Sequence, residues 1–222
     1  MSNPYLKYSV DQHIAYIEID QKNEPTNLFS IDFIQHYLET AQQAIEDPEV
    51  KGLILFSARK DFMAGADLKF IANPPEDKLA LFEGLMEVHR RFRALEKAGK
   101  PMVCLINGTA LGGGYELSLS CHYRIALNNN KIRIGLPEVN LGLLPGGGGT
   151  QRLSYLIGIP NAATYILQGR QFNPKRALEE GYVDALADDL DEMKKMAQDW
   201  IIKNPNPMQP WDNRLTKYPK EG

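Results

Sequence analysis

Two glutamates and the glycines around them are the residues of this chain best suited to chemistry. Glu116 follows three consecutive glycines, Gly112, Gly113 and Gly114, and Glu138 follows Leu136-Pro137. Gly146 to Gly149 and then Thr150-Gln151-Arg152 close the stretch. Glycine costs about 1 kcal/mol at each position inside a helix, so the triplet reads as the turn into a helix that continues from Tyr115. The first N–H groups of a helix have no internal acceptor, and glycine lets a ligand approach them closely. The Gly113 N–H, facing a cleft, can hold a negatively charged oxygen, with Glu116 one turn further in. Pro137 fixes the backbone before Glu138 and limits where that carboxylate points. Two carboxyl groups in different environments can divide proton transfer between them. Taken alone, the five residues Gly112 to Glu116 read more simply as a tight turn beside an exposed glutamate.

Other reactive side chains are less well placed. His13 lies beside a strand pattern, His36 in an amphipathic helix, and His89 among arginines. Cys121-His122 is a poor metal signal, because adjacent ligands without further Cys/His spacing do not build a tetrahedral site; no metal is expected. The run Gly146 to Gly149 is not a phosphate-binding loop, since the Lys-Ser/Thr ending is missing.

The elements that must position the glutamates alternate along the chain. His13 to Asp20 alternates as a strand. Ile34, Tyr37, Leu38, Ala41 and Ile45 form a helical stripe that Ser30 can cap. Gly52 to Phe56 and Met102 to Ile106 are short apolar runs suited to strands buried on both faces. Lys78 to Ala98 predicts the longest helix, with Leu81, Leu85, Val88, Phe92 and Leu95 as its buried stripe. Tyr123 to Leu127 and Ile132 to Gly135 read as two strands around the turn Asn128-Asn129-Asn130. Helices are expected over Pro160 to Gln168, Pro174 to Glu180 and Leu190 to Ile202, with Gly181 ending the second. This order argues for an α/β architecture.

Composition sets the outer bounds. The 222 residues suffice for one domain with a large core. A net charge of -3 gives no reason to expect a nucleic acid or an acidic membrane surface. No apolar run approaches the length of a membrane span, and the first residues lack the pattern of a signal peptide. Cys104 and Cys121 read as buried free thiols in a reducing compartment. The expected location is cytoplasmic, or the mitochondrial matrix if a transit peptide has been removed.

Four motifs in order carry a resemblance. Ala64-Gly65-Ala66-Asp67-Leu68-Lys69, Ala110-Leu111-Gly112-Gly113-Gly114-Tyr115-Glu116, Leu136-Pro137-Glu138 and Gly148-Gly149-Thr150-Gln151-Arg152-Leu153 resemble the successive signatures of the crotonase superfamily, the enoyl-CoA hydratases and isomerases. The resemblance runs from about Tyr5 to about Ile202. It implies a crotonase-like spiral of repeated strand-strand-helix units. It implies an enzyme that adds water to 2-trans-enoyl-CoA thioesters in fatty-acid β-oxidation, with Glu116 activating the water and Glu138 exchanging the proton at Cα. The backbone N–H groups at Ala66 and Gly113 would form the oxyanion hole. Lys60 and Lys69 become candidates for the phosphates of coenzyme A. Ala64, Gly112, Pro137 and Gly146 are expected at the acyl thioester. Coenzyme A belongs to the substrate, and no other cofactor is implied. The family often carries an acidic residue where His122 stands.

Residues 1–203 then form the crotonase-like domain. Residues 204–222, with Pro205, Pro207 and Pro210, read as a tail without regular structure, a linker at which the chain is truncated. That tail resembles the hydratase part of the multifunctional fatty-acid oxidation protein, so a C-terminal hydroxyacyl-CoA dehydrogenase portion and a homo-oligomer are the partners the resemblance implies. Two alternatives stay open. One is a Δ3-Δ2-enoyl-CoA isomerase, alone or combined with the hydratase; the other is a non-catalytic acyl-CoA-binding subunit that needs neither carboxylate.

Overall fold

The computed structural model of the chain describes residues 3–22, 24–65 and 76–213. Strands β1 (Leu6–Asp11) and β2 (Ile14–Ile19) form an antiparallel hairpin. Its two-residue turn places Gln12 and His13 at φ of 47° and 65°, the left-handed conformation that matches the twist of a tight hairpin. Helix α1 (Ile31–Glu46) follows, capped by Ser30, whose hydroxyl accepts from the Phe33 N–H. Then come β3 (Gly52–Ser57), α2 (Lys78–Glu96), β4 (Met102–Ile106), β5 (Ala110–Leu111) and α3 (Gly113–Leu119). The second half adds β6 (Tyr123–Leu127), β7 (Ile134–Gly135), a 3-10 turn (Glu138–Leu141), α4 (Gly149–Ile157) and α5 (Ile159–Leu167). It closes with β8 (Gln171–Phe172), α6 (Pro174–Glu179), β9 (Ala185–Ala187), α7 (Leu190–Lys203) and a 3-10 turn (Pro210–Asp212).

The larger sheet has the order β1-β2-β3-β4-β6-β9, and every neighbouring pair after the first hairpin is parallel. Parallel strands are covered on both faces, which explains why β3 and β4 read as continuous apolar runs. Alternate side chains go to opposite sides: Leu53, Leu55, Cys104 and Ile106 pack with α1 and α3. Ile54, Phe56, Val103 and Leu105 pack under α7, against Met193, Ala197 and Ile201. The close approach of α7 depends on Gly52, where a Cβ would sit 2.6 Å from the Ile201 side chain. Both cysteines are buried free thiols.

Three sequence expectations differ from the structure. The segments at 123–127 and 132–135 do not form a hairpin, because β6 joins the large sheet while β7 joins a three-stranded sheet, β5-β7-β8. In α2 only Phe92, Leu95 and Glu96 are buried; Leu79, Phe82, Leu85 and Met86 are exposed, so the expected apolar stripe meets a core only in its last turns. Helix periodicity shows that a stripe exists, and tertiary packing decides how much of it is covered. Residues 204–213 are not wholly irregular. The Gln209 side chain is buried, its amide donating to the carbonyls of Ser120 and Cys121 at 3.3 and 3.2 Å, and Trp211 rests on the Tyr155 ring.

Candidate active site

The short second sheet brings the motifs together. Met63 bridges to Ala110 in parallel, and β5 pairs in parallel with β7. The Leu111 N–H donates to the Met63 carbonyl at 3.1 Å, and the Gly112 N–H donates to Gly135 at 3.0 Å. Three segments that run the same way therefore end side by side. Just past their ends lie Ala64-Gly65, Gly112-Gly113 and Pro137-Glu138, where α/β proteins commonly place ligands.

Asn27 holds the first of these segments. Its buried side-chain amide donates to the Ser57 hydroxyl at 2.9 Å and to the Phe62 carbonyl at 3.0 Å, and its backbone carbonyl accepts from the Ala64 N–H. The Phe29 N–H adds a bond to the Gly65 carbonyl. No motif in the sequence singles out Asn27, which ends the proline-containing stretch Glu24-Pro25-Thr26-Asn27 before α1.

The glycine triplet is required by crowding. Gly112, the N-cap of α3, has φ of 55°, and a Cβ there would lie 3.2 Å from Glu138 Oε1. A Cβ on Gly113 would stand 2.5 Å from the Phe29 ring, and one on Gly114 would stand 2.4 Å from the Met63 carbonyl oxygen. Helix α3 begins at Gly113, earlier than Tyr115, so the Gly113 N–H is the first of the helix and has no intrahelical acceptor.

The two glutamates sit in contrasting surroundings. Glu116 is buried, and its Oε1 accepts from the N–H groups of both Gly147 and Gly149 at 2.8 Å. Burial raises its pKa above the ordinary carboxylate value, while those two N–H groups and the Arg152 charge pull it back. Glu138 is half-buried, and its Oε2 has no hydrogen-bond partner among the described residues. Burial first, and the Glu116 charge second, push its carboxyl up to about 7, against a hydrogen bond from its own backbone. Glu138 Oε1 lies beside Gly112, the N-cap of the helix that carries Glu116 one turn further in. Pro137 is the N-cap of the 3-10 turn that begins at Glu138.

The four-glycine run serves Glu116. A Cβ on Gly147 would fall 2.7 Å from Glu116 Oε2, and one on Gly149 would fall 2.9 Å from Oε1. Gly146 is exposed, with open space around it. Ala64 and Lys60 are also exposed, and the Lys60 backbone packs against Gly108. Ala66 and Lys69 lie outside the described residues.

A charged group behind the site went unread in the sequence. Glu96, whose side chain is fully buried, receives Arg152 through Nε at 2.6 Å and Nη2 at 2.5 Å, and its other oxygen meets Arg93. Arg93 reaches on to Asp212 at 2.6 Å. His122 lies against the same helix end: its Nδ1 accepts from the Met102 N–H, and its Nε2 donates to the Glu96 carbonyl. Both ring nitrogens are used in the neutral form, and burial lowers its pKa to about 4. Among the described residues no group of three or more His, Cys, Asp or Glu could hold a metal, and no helix is long and apolar enough to cross a membrane.

A mostly parallel sheet, a small second sheet and two carboxyl groups beside a glycine-started helix define a crotonase-fold protein. The enoyl-CoA hydratase/isomerase family matches residues 9–215, and the chain belongs to that family. It is 40% identical over 189 residues to the fatty acid oxidation complex subunit alpha of Shewanella loihica, which covers 83% of this chain and 26% of that protein. The chain thus spans about a quarter of the length of that relative. Among solved structures it is similar to an enoyl-CoA hydratase from Bacillus anthracis, with a TM-score of 0.78 and 30% identity over 90% of this chain and 76% of that one. An enoyl-CoA hydratase from Thermoplasma volcanium gives a TM-score of 0.82 at 25% identity, over 91% and 79% of the two chains.

Proposed function

We propose that this chain is an enoyl-CoA hydratase that adds water to 2-trans-enoyl-CoA thioesters in fatty-acid β-oxidation. The observation that carries the reading is the unequal pair of glutamates: Glu116 fixed by two N–H groups, Glu138 with its Oε2 unpartnered among the described residues and its carboxyl raised to about 7. In the reaction, Glu116 as carboxylate takes a proton from water while the water oxygen bonds to Cβ. The π electrons shift toward the thioester, whose oxygen gains negative charge, and Glu138 as carboxylic acid delivers a proton to Cα. Proton exchange between the two carboxyl groups and solvent then restores the starting state. The Gly113 N–H, together with the N–H at Ala66, would donate to the enolate oxygen, an interaction worth about 3 kcal/mol per donor. The family match and the relatives named as enoyl-CoA hydratases support this assignment. The name of the Shewanella relative and the quarter of its length that is matched support a place for this domain in a longer fatty-acid oxidation protein, in which the resemblance of the sequence implies a hydroxyacyl-CoA dehydrogenase portion.

A carboxyl group that titrates near 7 also suits proton exchange in Δ3-Δ2 isomerisation, which needs no activated water. The test separates the roles. Glu116→Gln should lose hydration of crotonyl-CoA while keeping some isomerisation of a 3-enoyl-CoA, and Glu138→Gln should lose both. The assay follows the conjugated enoyl-thioester absorbance after the fold and acyl-CoA binding of each variant have been checked. Wild-type hydration by Glu116→Gln would remove Glu116 from the mechanism and leave the isomerase. A wild-type chain that binds acyl-CoA and catalyses neither reaction would leave the non-catalytic binding subunit.

A further inference from the structure

The Gly147 residue is held at both ends. Its N–H donates to Glu116 Oε1 at 2.8 Å, and its carbonyl accepts from Arg152 Nη1 at 2.9 Å. Arg152 is itself nearly buried, and its other two nitrogens lie on Glu96, whose side chain is fully buried. Nη1 also fills the place a side chain at position 148 would take, because a Cβ there would stand 2.1 Å away. Gly148, at φ of 99°, is therefore the residue that lets the guanidinium reach across the turn. A guanidinium is a rigid fork with its donors in fixed directions. Held on Glu96 by two nitrogens, it can present the third in only one direction, toward the Gly147 carbonyl. We propose that Arg152, oriented by the buried Glu96, is a positioning residue for Glu116, acting through the Gly147 backbone.

The proposal deepens the hydratase reading and rests on it for the role of Glu116. If Arg152 is removed, the Gly147 carbonyl loses its donor and can turn away, carrying its N–H off Glu116. Glu116 then loses both a donor and a nearby positive charge, so its carboxyl should titrate higher. Among the described residues the charged groups that face Glu116 are Arg152, from α4, and Glu138. Those that face Glu96 are Arg93 on its own helix, Arg152 from α4 and His122 after α3, with Tyr37 from α1 nearby and Asp212 tied in through Arg93. None of these intervenes between Arg152 and the Gly147 carbonyl.

The experiment compares wild type with Arg152→Gln and with Arg152→Gln/Glu96→Gln, the second avoiding an unpaired buried carboxylate if the first fails to fold. In the folded variant, kcat for crotonyl-CoA hydration should fall about tenfold or more while KM stays within about twofold. The acid limb of the pH profile should move up by about one pH unit. The Glu116 carboxyl, titrated by carbon-13 resonance against a Glu116→Gln control, should move the same way, a readout that does not require turnover. Arg152→Lys, which keeps the charge without the fork, should restore the titration further than it restores kcat. Unchanged Glu116 titration and an unchanged acid limb in a folded variant would overturn the proposal, whatever the loss of rate. Should wild type show no Glu116-dependent hydration while the titration still moves, the hydratase reading fails and the positioning survives.

Discussion

Replacing Glu138 by glutamine should make the protein more stable at alkaline pH and leave it nearly unchanged at acid pH. The carboxyl stands at about 7 in place of its ordinary 4.5, chiefly through burial and then through the Glu116 charge. Below about pH 4.5 the group is protonated in the folded and unfolded chain alike. Between there and about 7 the folded chain keeps the proton and the unfolded chain has released it. The folded state then binds more protons, so stability falls as pH rises through that window. A displacement of this size, at about 1.36 kcal/mol per pH unit, corresponds to about 3 kcal/mol. The side chain is only half-buried, so solvent screening reduces this to about 1–2 kcal/mol. Glutamine matches the protonated acid in size and never ionises. Urea unfolding of both proteins at about pH 5, 6, 7 and 8 reads the difference directly, with the two curves close at the first and separated at the last by about 1–2 kcal/mol. A gap that stays constant over that range would show that Glu138 is ionised throughout, and a carboxylate in that state cannot be the acid that protonates Cα.

Two further outcomes follow from groups around the site. His122, held at about 4 by burial, is neutral in the folded chain while the unfolded chain takes up a proton below about 6.5, so it should cost stability as pH falls from there toward 4; His122→Gln should be less stable at neutral pH by about 1 kcal/mol yet show a shallower acid decline in thermal unfolding, and equal slopes would refute this. Asn27→Leu leaves the Phe62 carbonyl and the Gln21 N–H without a partner, so urea unfolding should report a loss of about 2–4 kcal/mol, and a loss under about 0.5 kcal/mol would mean the loop at 57–65 is held by other contacts.

The chain itself determined the alternation of elements, because periodicity and capping are local. Ser30 caps α1, and Gly181 ends α6 at φ of 75°. Continuous apolar runs marked β3 and β4 as strands covered on both faces. The order of the glycine and glutamate motifs was legible as well, since the positive φ at Gly112 and the crowding at Gly113 and Gly114 favour glycine in this packing. Sheet membership was not legible: an Asn-rich turn between two strand patterns permits a hairpin, and only the pairing of β7 with β5 and β8 decided against it. That pairing sets Glu138 beside Gly112, which no spacing along the chain could announce. The buried chain of charge behind Glu116 was equally hidden. Glu96 reads locally as one more charged residue at the end of a helix. Its burial, and its contact with an arginine 56 positions later, exist only once α2, α3 and α4 have packed together, because burial and long-range charge pairing are properties of the assembled core and leave no local pattern.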